Sequence, residues 1–243
     1  VRHLKTFSQL FESISRPRYK KPEFEIKEFY RAFKKNLPLR EMLPDDIDQG
    51  IFKVRGRGFE GEPKWMEKHL DPPGKSGEYF GTPELIEIAE KKDPRFIPFI
   101  RWCQNLFESG KMEEISLEGL RSGLSTKFKN HEWHDLEKDP DLLDKCEAEY
   151  KKAIKAGLDK NRLTKEKGLV QKYPEIDIPK AMSWAGYFGD SINYFDSVAD
   201  SGAELPVTQF ILHDGIYYTI GGRRRMFWHF YHKLDPTVWV INL

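Results

Sequence analysis

Three consecutive arginines, Arg223, Arg224 and Arg225, follow the glycine pair Gly221-Gly222 late in a chain of 243 residues. Glycine lets the backbone come close to a ligand, and a guanidinium presents N–H donors in a fixed fork that matches phosphate oxygens. A helix starting at about Arg223 adds its first backbone N–H groups and the positive end of its dipole at the same place. Together these make an anion site, with phosphate as its natural occupant. The dipole disfavours arginine at that end, and an anion in the turn offsets the cost. A solvated basic patch is the other reading of the same residues.

Chemistry beyond binding needs groups that move protons. His229 lies four residues after Arg225, one helical turn away, so both can face one site. Packing beside Trp228 and Tyr231 is its alternative role. Asp190, ahead of the SINYFDSVADSG helix, and Glu204, just before a strand, are the carboxylate candidates. Each also reads as a cap or a surface charge.

The elements that must hold this turn are written around it. Pro206 to His213 favours β-branched and aromatic residues, Asp214-Gly215 is a short-hairpin dipeptide, and Ile216 to Ile220 returns as a second strand. Gly221-Gly222 ends that strand, a helix follows from about Arg223, and a final strand closes the segment through TVWVI.

This order, with a strand running into G-x-x-R at a helix start as Gly222-Arg223-Arg224-Arg225, resembles the ParB/sulfiredoxin family. LPV at Leu205 to Val207, the DGIYYTI hairpin and the trailing helix sit where that family places its equivalents. The resemblance covers the last quarter to third of the chain. Members often carry Glu, His, Cys, Asn or Thr inside the turn, where this chain has Arg223 and Arg224.

The resemblance implies an α+β fold, with a small mixed sheet flanked by helices. Relatives include nucleotide-dependent segregation proteins, ATP-using sulfinic-acid reductases, small-molecule kinases and nucleases, so it implies phosphate binding more firmly than any one reaction. The leading expectation is a nucleotide- or phosphate-binding protein, an ATP/ADP-dependent phosphotransferase or nucleotide hydrolase, with ATP or another nucleotide as cofactor and Mg2+ assisting. Gly221, Gly222, Arg223, Arg224 and Arg225 would bind the nucleotide. Arg225 and Arg224 would act on the transferred group, with Asp190, Glu204 and His229 as the remaining catalytic candidates. One alternative is a DNA-acting nuclease or DNA-binding protein, in which Arg55, Arg57 and the basic N-terminal segment extend the footprint. Another is a noncatalytic structural or interaction protein.

Composition bounds these choices. Apolar residues at 39% and aromatic residues at 14% fill a packed core, and charged residues at 33% cover a solvated surface. A formal net charge of +1 is low for a bulk nucleic-acid binder. Cys103 and Cys146 are too few and too far apart for a disulfide framework or a cysteine metal site, which fits a reducing compartment. No run approaches the roughly 18 apolar residues of a membrane span, so no membrane partner and a cytoplasmic setting are expected. The opening VRHLKTFSQLFESI lacks an initiator Met, as after removal of a tag or leader, and is loosely similar in wording to the starts of tailed-bacteriophage proteins.

Other motifs carry less. PPGKSG at Pro72 to Gly77 holds the GKS of a P-loop, but His69 stands where the first glycine belongs and no strand precedes it. RGRGF at Arg55 to Phe59 is a single arginine-glycine copy and reads as a surface turn. HEWHD at His131 to Asp135 has metal-ligand types without the further cluster that completes a site.

Residues 1–172 read as a mainly helical region, and residues 173–243 as the α+β unit. Leu4 to Ile14 and Phe24 to Phe33 carry apolar stripes at helical spacing, with Pro38 and Pro44 closing the second. Residues 49–81 read as a long irregular segment with a short strand at Ile51 to Val54. Thr82 reads as the N-cap of a helix with Pro83 in its first turn. Further helices are expected at Phe96 to Ser109 and Pro140 to Ala156, and a strand at Glu175 to Pro179.

Overall fold

The computed structural model describes residues 17–53, 61–66, 81–117 and 141–243. The stripe at Leu4 to Ile14, the RGRGF, PPGKSG and HEWHD segments and most of 49–81 lie outside the described residues.

The elements follow in order: β1 (Arg18–Lys20), α1 (Ile26–Lys35), α2 (Leu37–Glu41), 3-10 turns at Gln49–Lys53 and Lys64–Met66, α3 (Thr82–Lys92), α4 (Phe96–Glu108), β2 (Lys111–Glu114), α5 (Leu142–Lys155), α6 (Lys160–Leu163), α7 (Leu169–Lys172), α8 (Ile178–Ser183), a π-helical segment (Trp184–Gly189), α9 (Asp190–Asp200), β3 (Glu204–Pro206), β4 (Thr208–His213), β5 (Ile216–Gly221), α10 (Arg223–His232) and β6 (Thr237–Asn242). This is a mixed α+β architecture, with helices towards the N-terminus and a small mixed sheet built mainly by C-terminal strands. The chain divides into two compact units. One takes Val1–Lys20, Glu114–Val207 and Gly222–Thr237, and the other Lys21–Glu113, Thr208–Gly221 and Val238–Leu243. Both draw on residues before and after Tyr173, where the composition turns towards strands.

In the sheet unit the strand order is β2-β6-β4-β5. β4 runs antiparallel to β5 and parallel to β6, with Thr208 opposite Val238. Asp214 and Gly215 both have positive φ, 49° and 73°, as a two-residue hairpin whose twist matches its strands requires. α1 packs against β5. Its buried Phe29, Tyr30 and Phe33 join Phe52, Phe96 and Phe99, with Tyr30 stacked on Phe52 at 5.3 Å and Phe33 edge-on to Phe99 at 5.9 Å. Such pairs add geometric preference to the burial that stabilises the unit.

The other unit is mainly helical. Its short parallel pair joins β1 to β3, with Arg18 opposite Glu204. Ala153 of α5, Leu158, Leu163 of α6, Ile176, and Ile178 and Ala181 of α8 form one buried cluster.

Four local expectations are corrected. Glu175 to Pro179 is not a strand: the Asp177 side chain accepts from Lys180 N–H, Pro179 lies in the first turn, and these helix-start signals begin α8. Ile51 to Lys53 belongs to a 3-10 turn rather than a strand, and the Asp48 carboxylate accepts from Gly50 N–H at 2.7 Å just before it. Gly81, not Thr82, caps α3. Leu85 N–H donates to the Gly81 carbonyl at 3.0 Å, while the Thr82 hydroxyl is drawn to Gln104 Oε1 at 2.6 Å. Pro38, expected to end a unit, lies in the first turn of α2, where its missing N–H costs no intrahelical bond.

Candidate functional site: the arginine turn of α10

β5 ends at Gly221, opposite Gln209. Gly222 follows as the N-cap of α10 at φ 91°, a left-handed conformation that favours glycine. Its carbonyl accepts from Arg225 N–H at 3.0 Å and Met226 N–H at 3.2 Å, closing the first turn. No acidic residue stands in that turn. Arg223 and Arg225 are half-buried and Arg224 is exposed.

Arg224 does not hang loose. Its guanidinium carbon lies 5.5 Å from the ring centroid of Tyr187. The π-helical segment carries Tyr187 there, and such segments recur at functional sites. Ser191 Oγ–H donates to the Tyr187 carbonyl at 2.6 Å, and Tyr187 and Phe188 pack edge-on against Phe227 of α10 at 5.6 and 5.0 Å. Gly189 permits the wide turn, because a Cβ there would come within 2.9 Å of both the carbonyl and the indole nitrogen of Trp184.

His229 is 2% exposed, and both ring nitrogens are engaged. Nδ1 lies 2.7 Å from the Arg225 carbonyl, which only accepts, so Nδ1 carries the proton. Nε2, 2.7 Å from the Tyr19 hydroxyl, is then the acceptor, and the phenol donates to it. Burial, reinforced by the charges of Arg225 and His232 and opposed by the bond to the Arg225 carbonyl, pushes the imidazole pKa down to about 4. His229 is therefore neutral at pH 7. It fixes the backbone of the arginine turn and presents its lone pair to Tyr19.

The carboxylate candidates are placed differently. Asp190 opens α9 at the surface, paired with the Lys160 ammonium. Glu204 opens β3 and is exposed. His213 turns to the Leu243 carbonyl, 3.1 Å from its Nδ1.

A second polar cluster on α10 was missed by sequence reasoning. Asp196 Oδ1 accepts from Trp228 Nε1–H at 2.7 Å and from His232 Nε2–H at 2.8 Å. Burial pulls the Asp196 carboxyl up, and the bonds from His232 and Trp228 outweigh it, leaving its pKa below the ordinary carboxylate value. The i, i+4 spacing of Trp228 and His232 was a readable signal that they share a face. Their acceptor 32 and 36 residues earlier was not. Tyr19 had no signal at all, since a three-residue strand reading RYK shows no apolar alternation.

Among the described residues no group of three or more His, Cys, Asp or Glu is arranged to hold a metal ion, and no helix is long and apolar enough to cross a membrane. Cys103 and Cys146 are buried and not joined in a disulfide, and burial pushes the Cys103 thiol well up. No protein-family model, no curated protein and no solved structure matches this chain.

Proposed function

We propose that this chain binds a phosphate-bearing ligand, a nucleotide or another phosphate ester, at the first turn of α10, and that β4, β5, α10 and β6 are ParB/sulfiredoxin-like. One observation carries this. Three guanidinium groups occupy a helix start that has no acidic residue, and one of them is laid over the Tyr187 ring. Helix dipole and guanidinium charge add at that end, so both favour an anion in the turn.

In this reading Arg225 and the helix start hold terminal phosphate oxygens. Arg223 or Arg224 stabilises the charge that develops as a phosphoryl group passes to an acceptor or to water. A divalent ion would arrive with the nucleotide phosphates. His229 is a positioning residue, because its Nδ1–H steadies the Arg225 carbonyl and its Nε2 is already taken by Tyr19. Cysteines that are buried and not joined in a disulfide suit a reducing, cytoplasmic setting.

The test is calorimetric titration of ATP, ADP, CTP and GTP, with and without magnesium, into wild type and Arg225→Ala, with circular dichroism to verify folding. Saturable binding that weakens tenfold or more in the variant is the expected result, and phosphate release then reports turnover. No binding of any nucleotide by folded wild type refutes it. Binding to duplex DNA with a steep salt dependence spread over many basic residues would point instead to a DNA-acting protein.

A further inference from the structure

A cavity of about 210 Å³ lies beside the C-terminal end of α10, lined by Pro17, Tyr19, Glu114, Leu234, Asp235 and Thr237. All six belong to one compact unit. The volume falls below the roughly 300–1,000 Å³ of pockets for drug-sized ligands, so a small molecule suits it.

Its lining carries two carboxylates and, among the described residues, no cationic side chain. Arg18 and Lys20 flank Tyr19 in β1, but alternation along a strand turns them to the opposite face. Lys233, the C-cap of α10, is exposed and is not part of the lining. The helix ends at the cavity, with Leu234 N–H donating to the His229 carbonyl at 3.0 Å. The negative end of its dipole therefore acts in the same sense as the carboxylates.

The two acidic residues stand on backbone that is tied together. Ile115 N–H, next to Glu114, donates to the carbonyl of Pro236, next to Asp235, at 3.0 Å. Leu117 N–H donates to Asp235 Oδ1 at 2.8 Å, which leaves Oδ2 to meet a ligand. The Tyr19 hydroxyl is committed to His229 Nε2, so Tyr19 offers the cavity its ring. An aromatic ring attracts a cation, and Pro17 and Leu234 give apolar wall.

We infer that this cavity binds a small organic cation, a protonated amine on a short hydrocarbon stem. Glu114 and Asp235 accept from the ammonium group, and Tyr19, Leu234 and Pro17 pack on the stem. The site stands at the opposite end of α10 from the arginine turn and does not depend on the phosphate reading.

The experiment titrates the full chain with propylammonium and butane-1,4-diammonium chlorides, and with 1-propanol and sodium propionate, which carry a similar stem without the positive charge. Ionic strength is held constant with NaCl. Binding heat gives the affinity, and the amide resonances of Leu117 and Leu234 report whether this cavity is the one filled. Saturable binding of at least one of the two cations, with shifts at both amides, and no binding of the alcohol or the carboxylate is expected. Affinity should fall threefold or more in Glu114→Gln and in Asp235→Asn. Both residues are exposed, and asparagine keeps an acceptor for Leu117 N–H, so both variants should fold, which circular dichroism checks. No saturable binding of either cation by wild type, equal binding of 1-propanol, binding without shifts at the two amides, or unchanged affinity in either folded variant overturns the proposal.

Discussion

Tyr19 donates its phenolic O–H to Nε2 of His229 at 2.7 Å, across 210 positions of sequence, and the opposite nitrogen of that ring holds the Arg225 carbonyl. Strand β1 thereby steadies the first turn of the arginine helix. Tyr19→Phe leaves a buried nitrogen without its donor and should cost about 1–2 kcal/mol in urea denaturation. If the turn binds phosphate, the same variant should also weaken that binding. A wild-type unfolding midpoint in Tyr19→Phe would show that the hydroxyl contributes nothing.

The same histidine makes stability depend on pH. Its folded pKa of about 4 lies below the ordinary 6.5, so the unfolded chain takes up the proton first. The contribution is fully present above pH 6.5 and is lost as pH falls from 6.5 towards 4, by an amount on the order of 3 kcal/mol. Denaturation at pH 7, 5.5 and 4.5 should show this slope in wild type and a much smaller one in His229→Gln. The depressed Asp196 carboxyl acts at lower pH, with stability lost only as pH falls below the ordinary carboxylate range.

Asp196→Ala removes the common acceptor of two largely buried donors, the Trp228 indole and the His232 imidazole. A loss of about 2–4 kcal/mol is expected. Asp196→Asn keeps a carbonyl oxygen at the same place and should lose roughly half of that. Equal losses in the two variants would mean that the charge, and not the acceptor, matters.

The two glycines of the π-helical segment should behave oppositely. A methyl group at Gly189 would press on the Trp184 backbone at 2.9 Å, whereas one at Gly186 meets nothing within 4 Å. Gly189→Ala should destabilise by about 1–3 kcal/mol through overpacking. Gly186→Ala should be neutral or stabilising by up to about 1 kcal/mol, as alanine loses less backbone freedom in a helix. Thermal unfolding of the pair is the check.

Tyr187 offers a test of the arginine turn that leaves every charge in place. Tyr187→Phe keeps the ring under Arg224, and Tyr187→Leu removes it. An exposed cation–π contact of about 0.5–1 kcal/mol corresponds to a two- to fivefold change in phosphate affinity. The Leu variant should lose that much and the Phe variant none.

The C-terminal order of strand, hairpin, strand, helix and strand was legible because its signals are local. Asp214-Gly215 supplies the two positive-φ positions of the hairpin, and Gly222 supplies the left-handed cap of α10. Strands β1 and β2, reading RYK and KMEE, were not, because short charged strands form by pairing with partners far along the chain. At the candidate site the arginines could be read directly, and the spacing of His229 correctly placed it one turn from Arg225. Its partner Tyr19 and the packing of Tyr187 beneath Arg224 depend on tertiary contacts that no local pattern encodes.

The pairing of Arg18 with Glu204 in the β1–β3 ladder has a kinetic consequence. Its loop must close over nearly two hundred intervening residues before a single ladder bond forms, and closure at that separation is entropically slow. During synthesis β1 leaves the ribosome long before β3 and α10 exist, so Tyr19 waits for His229. Folding of the arginine turn is thus expected to be a late event, and the half-made chain must remain unaggregated until it occurs.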